Sequence, residues 1–138
     1  RYNKNRKIYI DDYAHHPKEI EALLNSIRKR FPEQKILGVF QPHLYSRTKD
    51  FAKEFGQALS ALDELFLMDI YPAREQEIPG VTSNLIFEAV SMSEKQLISK
   101  DHVIEAIQKT SWDVLLTIGA GDIDRLVKPI EQTLNALD

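Results

Sequence analysis

Four short apolar segments of β-type alternate along this chain with segments of helical periodicity, and this alternation constrains the fold more than any other feature. The β-type segments are residues 8–10, 36–40, 65–68 and 114–118. Because their apolar runs are nearly unbroken, both sides of each strand are expected to be buried, as in parallel sheets that are covered by helices on both faces. The sequence therefore predicts an α/β three-layer sandwich with a mainly parallel sheet.

Between the strands, apolar residues recur at the spacing of one helix face. The first such pattern ends at Pro32 and consists of Ile20, Leu23, Leu24, Ile27 and Phe31. Further helices are predicted over residues 49–62 and 83–92, and a fourth begins with Asp101 as its N-cap.

Three local patterns add detail. Pro129 interrupts the last helical pattern, so we expect a short turn at residues 122–127 followed by a kink or a fresh helix start. Residues 96–99 favour a short extra strand. Turn-forming residues at 3–5 indicate the tip of a hairpin whose partner strand lies upstream. We therefore expect residues 1–138 to be a single domain excised from a longer protein.

Composition excludes several classes of function. The absence of cysteine excludes disulfides and thiolate metal sites, and it permits a reducing compartment such as the cytoplasm. A net charge of −3 gives no general attraction to nucleic acid or to an anionic membrane. No apolar run approaches the roughly 18 residues of a membrane span. We therefore expect neither a nucleic-acid partner nor membrane insertion.

Polar segments follow each of the four predicted strands. They are residues 11–17, 41–48, 69–81 and 119–122. In a parallel sheet the carboxyl ends of the strands share one edge, and open α/β sheets bind their ligands there. We therefore expect these segments, which are distant in sequence, to meet and form one site.

The first segment, DDYAHHP, places two carboxylates, a phenol and two imidazoles in a strand-to-helix turn. A purely structural turn of this length needs glycine, asparagine or one capping aspartate instead. Adjacent residues in extended backbone point to opposite sides, so His15 and His16 are not expected to share one ion. With no HxH or HExxH spacing in the chain, no metal site held by this protein is predicted.

The other segments differ in how specific they are. His43 and Arg47 lie near a helix start, where a guanidinium can bind a carboxylate or phosphate. Residues 69–81 lack periodicity and form either a functional loop or a solvated one. Gly119 and Gly121 lack the third glycine of a dinucleotide fingerprint, so they are expected to allow close packing or a positive φ. Without a GxxxxGK[ST] motif, the chain alone is not expected to hold ATP phosphates.

The segments DDYAHHP, FQPHLYSRT, DIYPARE with IPGVTS, and TIGAGDI, in this order, resemble the C-terminal domain of the Mur ligases. The resemblance extends from about residue 6 to the end of the chain. It implies a Rossmann-like domain of a three-domain cytoplasmic enzyme of peptidoglycan synthesis. In such an enzyme the N-terminal domain binds the UDP sugar, and the central domain holds the phosphate loop and most ligands of Mg²⁺. ATP would phosphorylate the lactyl carboxylate, and the amine of an amino acid would attack the acyl phosphate.

The same resemblance implies roles for five residues. Asp12 would contact the ribose of ATP, and Tyr13 would lie beside the nucleotide. His15 would face the reacting centre as the catalytic residue, either accepting a proton or stabilising charge. His43 and Arg47 would position the amino-acid substrate.

Three functional interpretations remain open. The motif FQPHLYSRT favours the family members that join L-alanine to UDP-N-acetylmuramate, with Leu44 standing where many relatives have arginine. The pattern DD-x-A-H-H-P is shared with ligases that recycle murein peptides. A module that only binds nucleotides or anions, with no catalytic role, is the third.

Overall fold

The computed structural model describes residues 2–4 and 7–136, and its strands form a single sheet in the order β1-β2-β6-β3-β4-β5. The strands are β1 Tyr2–Lys4, β2 Lys7–Asp12, β3 Ile36–Phe40, β4 Glu64–Leu67, β5 Lys95–Leu97 and β6 Val114–Ile118. Strand β1 is antiparallel to β2, and the other neighbours pair in parallel. The predicted mainly parallel sheet is thus confirmed.

Helices cover both faces of this sheet. They are α1 Pro17–Arg30, α2 Tyr45–Leu59, α3 Asn84–Ala89, α4 Val103–Lys109 and α5 Val127–Asn135. Residues of α1, α2 and α3 form one apolar cluster with one face of the sheet, and residues of α4 and α5 form a second cluster with the other. Along β4, Leu65 and Leu67 belong to the first cluster and Phe66 to the second, as strand geometry requires. The three-layer prediction is therefore confirmed.

The first helix begins where the DDYAHHP segment ends. The His16 side chain accepts a hydrogen bond from the N–H of Lys18, and the Glu19 carboxylate accepts one from the N–H of His16 at 3.0 Å. This reciprocal capping satisfies N–H groups that a helix start leaves free. Pro17 adds a preset φ at the first helical position. One histidine of the motif is thus explained by folding.

Two predicted helix starts were wrong. Helix α2 begins at Tyr45 instead of residue 49, so Arg47 lies inside its first turn and not ahead of it. Asp101 lies within a short 3₁₀ helix, Lys100–His102, and α4 follows at Val103. Periodicity of apolar residues cannot detect a first turn that is mostly polar, which explains the early start of α2, whereas the apolar pattern of α4 does not reveal that a 3₁₀ turn precedes it.

Of the three remaining local predictions, two were confirmed and one was wrong. A 3₁₀ helix spans Asp122–Leu126 and α5 starts afresh at Val127, which puts Pro129 in a first turn where its missing N–H costs nothing. The extra strand exists as β5. The hairpin tip was misplaced: Asn3 belongs to β1 and pairs with Ile8, so its partner is within the chain. The turn between β1 and β2 lies outside the described residues.

No helix in the described part of the chain is both long enough and apolar enough to cross a membrane.

Candidate functional site

The carboxyl ends of β2, β6 and β3 lie side by side, and the polar segments that follow them are joined by backbone hydrogen bonds. Asp12 and Phe40 both pair with Ile118, one from each side. The N–H of Gly119 donates to the Asp12 carbonyl at 3.1 Å, and the N–H of Gln41 donates to the Ile118 carbonyl at 3.1 Å. The predicted convergence of these segments at one sheet edge is confirmed.

At the end of β2 the chain turns sharply, and this turn sets the directions of its side chains. The Asp12 carboxylate accepts a hydrogen bond from the N–H of Ala14 at 2.9 Å, and Ala14 is buried. The Tyr13 ring is 66% exposed and meets the His15 ring edge-on with centroids 6.1 Å apart. His16 instead points to the other side and packs on Phe51 at 5.2 Å. The two adjacent histidines thus face different surroundings, as predicted.

His15, His43 and Arg47 form one contiguous cluster. The rings of His15 and His43 meet edge to face with centroids 5.9 Å apart. Arg47 Nη1 lies 3.3 Å from His43 Nδ1. His15 comes from the turn after β2, His43 from the segment after β3 and Arg47 from the first turn of α2, so the cluster depends on β2 and β3 flanking β6.

When both imidazoles are neutral, their hydrogen-bond partners assign them opposite tautomers. His15 Nδ1 lies 3.1 Å from the Tyr13 carbonyl oxygen, which can only accept, so this nitrogen carries the proton and Nε2 keeps a lone pair. Arg47 can only donate, so Nδ1 of His43 is an acceptor and its Nε2 carries the proton. Chemically, the site therefore offers one proton acceptor, one N–H donor and one permanent cation.

Electrostatics reinforce the neutral state of His43. Burial, followed by the positive charges of Arg47 and His15, holds the pKa of His43 below its ordinary value, and Glu75 opposes this weakly. On the other side of the cluster, the pKa of the Glu19 carboxyl is lowered. The main cause is a hydrogen bond that it accepts from the backbone N–H of His15, and it also lies near both histidine side chains. Its Oε1 is 3.6 Å from His15 Nδ1.

Two residues outside the predicted set complete the surroundings of this cluster. The Tyr71 ring stacks on His43 with centroids 5.7 Å apart and an interplanar angle of 14°. The Glu75 carboxylate accepts hydrogen bonds from the Ser46 N–H at 3.0 Å and from its hydroxyl. Both come from residues 69–81, for which a functional loop and a solvated loop were left open. The sequence signals were the length of this loop at the carboxyl end of a strand and its DIYPARE segment, which belongs to the family resemblance but had assigned no role to either residue.

The glycines after β6 serve packing, as expected from their spacing. Gly119 has φ +146, a region that favours glycine, and a Cβ there would lie 2.9 Å from the Gln41 carbonyl. A Cβ on Gly121 would lie 2.6 Å from the Tyr71 Cβ. The Gln41 amide uses this space to bridge the turn, donating to Asp122 and accepting from the N–H of Ile123 at 2.9 Å. The GAGD segment, residues 119–122, is thus held against Gln41, the residue that follows β3.

One carboxylate of the first motif lies apart from the cluster. Asp11 accepts a 2.6 Å hydrogen bond from the Thr117 hydroxyl, which in turn lies 2.8 Å from the buried Tyr9 hydroxyl. Partial desolvation raises the pKa of Asp11, while the bond from Thr117 opposes the shift. Asp11 therefore belongs to a structural network across β2 and β6.

The structure also bears on which groups could bind here. One Asp12 oxygen is engaged by Ala14, and the other accepts no hydrogen bond from a described residue, so it is free to accept from a sugar hydroxyl. Beside it, the exposed Tyr13 ring offers a face to a nucleotide. Within residues 2–4 and 7–136, no three His, Asp or Glu side chains cluster closely enough to hold a metal ion.

Comparison with known proteins adds independent information. The family model described as "Mur ligase, glutamate ligase domain" matches residues 1–121. The UDP-N-acetylmuramate–L-alanine ligase of Cytophaga hutchinsonii is 49% identical over 130 residues, which cover 94% of this chain and 28% of that protein. The ligase of the same name from Porphyromonas gingivalis is 50% identical over 133 residues, covering 96% of this chain and 29% of that protein. The chain thus spans less than a third of the curated relatives it matches.

Solved structures share the fold. A UDP-N-acetylmuramate–alanine ligase from Thermotoga maritima superposes with a TM-score of 0.75 at 24% identity, covering 99% of this chain and 29% of that one. A murein peptide ligase from Psychrobacter arcticus gives a TM-score of 0.76 at 18% identity, covering 100% of this chain and 29% of that one. At these identities the likeness supports the Rossmann-like architecture only.

Proposed function

The chain belongs to the Mur ligase family, within the part described as the glutamate ligase domain, and from this we propose that it is the C-terminal domain of a UDP-N-acetylmuramate–L-alanine ligase. Residues 1–138 would form one domain of a three-domain cytoplasmic enzyme that joins L-alanine to UDP-N-acetylmuramate at the expense of ATP. The observation that carries this proposal is the 49% and 50% identity, over nearly the whole chain, to relatives that bear this name.

The cluster of His15, His43 and Arg47 suits recognition and activation of an amino acid. A free amino acid presents a carboxylate and an ammonium group close together. Arg47 stays charged at any physiological pH and can bind the carboxylate, while the Nε2–H of His43 donates a second hydrogen bond to it. Because Leu44 stands where many relatives have arginine, Arg47 is the main cation for this contact in our proposal.

His15 is proposed as the acceptor of the amine proton. Alanine is mostly an ammonium ion at neutral pH, and only its neutral amine can attack an activated acyl carbon. The lone pair on His15 Nε2 accepts one ammonium proton, and the Tyr13 carbonyl and Glu19 carboxylate near Nδ1 stabilise the resulting imidazolium. The neutral amine then forms the C–N bond, the bond between the acyl carbon and the phosphate oxygen breaks, and the second amine proton leaves with the phosphate. Holding the amine beside this carbon also lowers the entropic part of the barrier.

ATP, when bound, supplies the activation of the substrate carboxylate. In this chain the free Asp12 oxygen would accept from the ribose hydroxyls, and Tyr13 would lie against the nucleoside. Mg²⁺ would be held mainly by the central domain of the full-length enzyme, as the resemblance to the Mur ligases implies. We therefore assign this domain the tasks of closing over the nucleotide and positioning the amino acid.

The decisive experiment measures phosphate release by the full-length ligase that carries this domain. We expect release only when ATP, UDP-N-acetylmuramate and L-alanine are all present. Replacing L-alanine by the murein tripeptide distinguishes the recycling ligase, because a peptide-specific enzyme would prefer the tripeptide. The 138-residue chain alone serves as control and is expected neither to hydrolyse ATP nor to form the amide.

A further inference from the structure

The start of helix α2 has an unusual construction. Its N-cap residue, Leu44, has φ +74 and ψ 137, and no side chain of the cap itself bonds to the first turn in the described structure. A left-handed φ at a leucine is unfavourable. The first turn, moreover, contains no acidic residue. Helix starts leave N–H groups that need acceptors, and neither the cap side chain nor an acidic residue of the first turn supplies one here.

Glu75 supplies that acceptor from the loop after β4. Its carboxylate accepts hydrogen bonds from both the N–H and the hydroxyl of Ser46. A carboxylate at this position also complements the positive end of the helix dipole. These bonds, led by that of the Ser46 hydroxyl, hold the pKa of Glu75 below its ordinary value, so the group is charged at neutral pH.

The loop itself is fastened to the segment before α2. The Leu44 N–H donates to the Tyr71 carbonyl at 2.8 Å, and the Tyr71 N–H donates to the Pro42 carbonyl at 2.8 Å. A turn follows, in which the Glu75 N–H donates to the Pro72 carbonyl at 2.9 Å. Within this turn Ala73 adopts φ +53, a conformation that costs energy for any residue with a side chain. The loop adopts this unfavourable conformation in the geometry that places Glu75 beside Ser46.

The body of α2 does not by itself fix its first turns. Phe51 has φ −124 and ψ 18, which breaks the helix into two parts, and residues 45–50 precede the break. Arg47 lies in this first part, one residue beyond Ser46. The orientation of Arg47, and with it the contact between Arg47 and His43, therefore depends on what holds residues 45–50 from outside.

We propose that Glu75 is a positioning residue for the amino-acid site, acting through Ser46 to orient Arg47 against His43. This inference rests on the proposed function for its kinetic consequence, although its structural part does not. It makes the loop after β4 a determinant of amino-acid affinity without assigning it any contact with the amino acid. Glu77, which is exposed in the same loop and makes no bond to α2 among the described contacts, provides a matched control.

The test compares Glu75→Ala, Glu75→Gln and Glu77→Ala in the full-length ligase. We expect Glu75→Ala to raise the KM for L-alanine on the order of tenfold, the scale of a displaced positioning group, while the KM for ATP stays within about twofold. Glu75→Gln keeps an oxygen for the Ser46 N–H but loses the charge, so it should give an intermediate KM. Adding Ser46→Ala to Glu75→Ala should have no further effect, because the partner is already gone.

Hydrogen–deuterium exchange on the same proteins gives a readout that needs no substrate. Glu75→Ala should speed exchange of the amides in residues 44–50, and Glu77→Ala should not. An alanine KM equal in the Glu75→Ala and Glu77→Ala proteins, or a lower melting temperature with an unchanged KM, would overturn the positioning role. If the wild-type ligase does not use L-alanine, the proposed function fails, and unchanged exchange in residues 44–50 would then refute the structural part as well.

Discussion

The imidazole rings of His15 and His43 meet edge to face, 5.9 Å apart, although one follows β2 and the other follows β3. Strand β6, the last in sequence, separates those two strands in the sheet. The contact therefore reports the correct insertion of β6 between β2 and β3. It also joins a proton acceptor to an N–H donor, because the two rings hold opposite tautomers.

The pKa of His43 is expected to respond to its neighbours with defined signs. Burial and the charge of Arg47 lower it below the ordinary value near 6.5. Arg47→Ala should therefore raise the pKa of His43, and His15→Ala should raise it by less. Titration of the His43 ring protons by NMR, in the 138-residue chain, checks both signs.

The same shift has a consequence for stability. Since folded His43 binds a proton less readily than unfolded His43, its contribution to the free energy of unfolding is complete at neutral pH. It declines as the pH falls through the ordinary histidine range. A His43 pKa that falls in the Arg47→Ala protein would contradict the assigned contact.

His15 and His16 should separate activity from stability. His15→Ala in the full-length ligase is expected to lower kcat with little change in melting temperature, because its ring contacts lie at the site. His16→Ala should cost on the order of 1 kcal/mol of stability, as loss of other helix caps does, with little loss of kcat. Steady-state kinetics and thermal unfolding of both proteins provide the measurements.

A conservative variant sharpens this comparison. Asparagine is a good N-cap, so His16→Asn should recover most of the stability that His16→Ala loses. If His15→Ala merely unfolds the domain, the catalytic assignment of His15 is wrong and the residue is structural.

The alternation of strands and helices along the chain could be predicted from the sequence, because buried strands and amphipathic helices leave regular apolar patterns, but the order of the strands in the sheet could not. The convergence of the four polar segments followed from parallel topology alone. By contrast, Asp11 and Asp12 look equivalent as sequence. Only the pleat of β2 separates them, since Asp11 bonds to Thr117 within the sheet and Asp12 turns to the edge.

The support of the site by Tyr71 and Glu75 could not be predicted. Both lie in a loop without periodicity, and their partners, His43 and Ser46, are reached only through the pairing of residues 42–44 with Tyr71. Such contacts between irregular segments depend on three-dimensional packing, for which local propensity gives no signal. The early start of α2 escaped prediction because its first turn is mostly polar.

Arg47→Ala in the full-length ligase is expected to raise the KM for L-alanine. Losing a charged hydrogen bond to the substrate carboxylate costs about 1.5–3 kcal/mol, which corresponds to roughly ten- to a hundredfold. Arg47→Lys should recover only part of this loss, because an ammonium cannot make two parallel bonds. Initial rates over a range of L-alanine concentrations provide the test.

The control for Arg47 is Arg30→Ala, which removes the same charge from the far end of α1. Its alanine KM should match the wild type. Equal KM values for L-alanine in the wild type, Arg47→Ala and Arg30→Ala proteins would show that Arg47 does not belong to the amino-acid site.

The hydroxyls of Tyr9 and Thr117 form a chain that ends at Asp11, and its energetics can be measured in the 138-residue chain. The Thr117 proton goes to Asp11, so the Tyr9 hydroxyl must donate to Thr117. Burial raises the pKa of Tyr9 well above its ordinary value, so it remains a donor at neutral pH. Thr117→Val leaves this buried donor without its acceptor and should cost about 1–3 kcal/mol.

Tyr9→Phe removes the donor instead and should cost less, about 0.5–1.5 kcal/mol, because Thr117 can still donate to Asp11. In the double variant no Tyr9 hydroxyl remains to be left unpaired. Its loss of stability should therefore be smaller than the sum of the two single losses. Urea unfolding of the four proteins at pH 7 gives the free energies, and strict additivity would show that the two hydroxyls are not coupled.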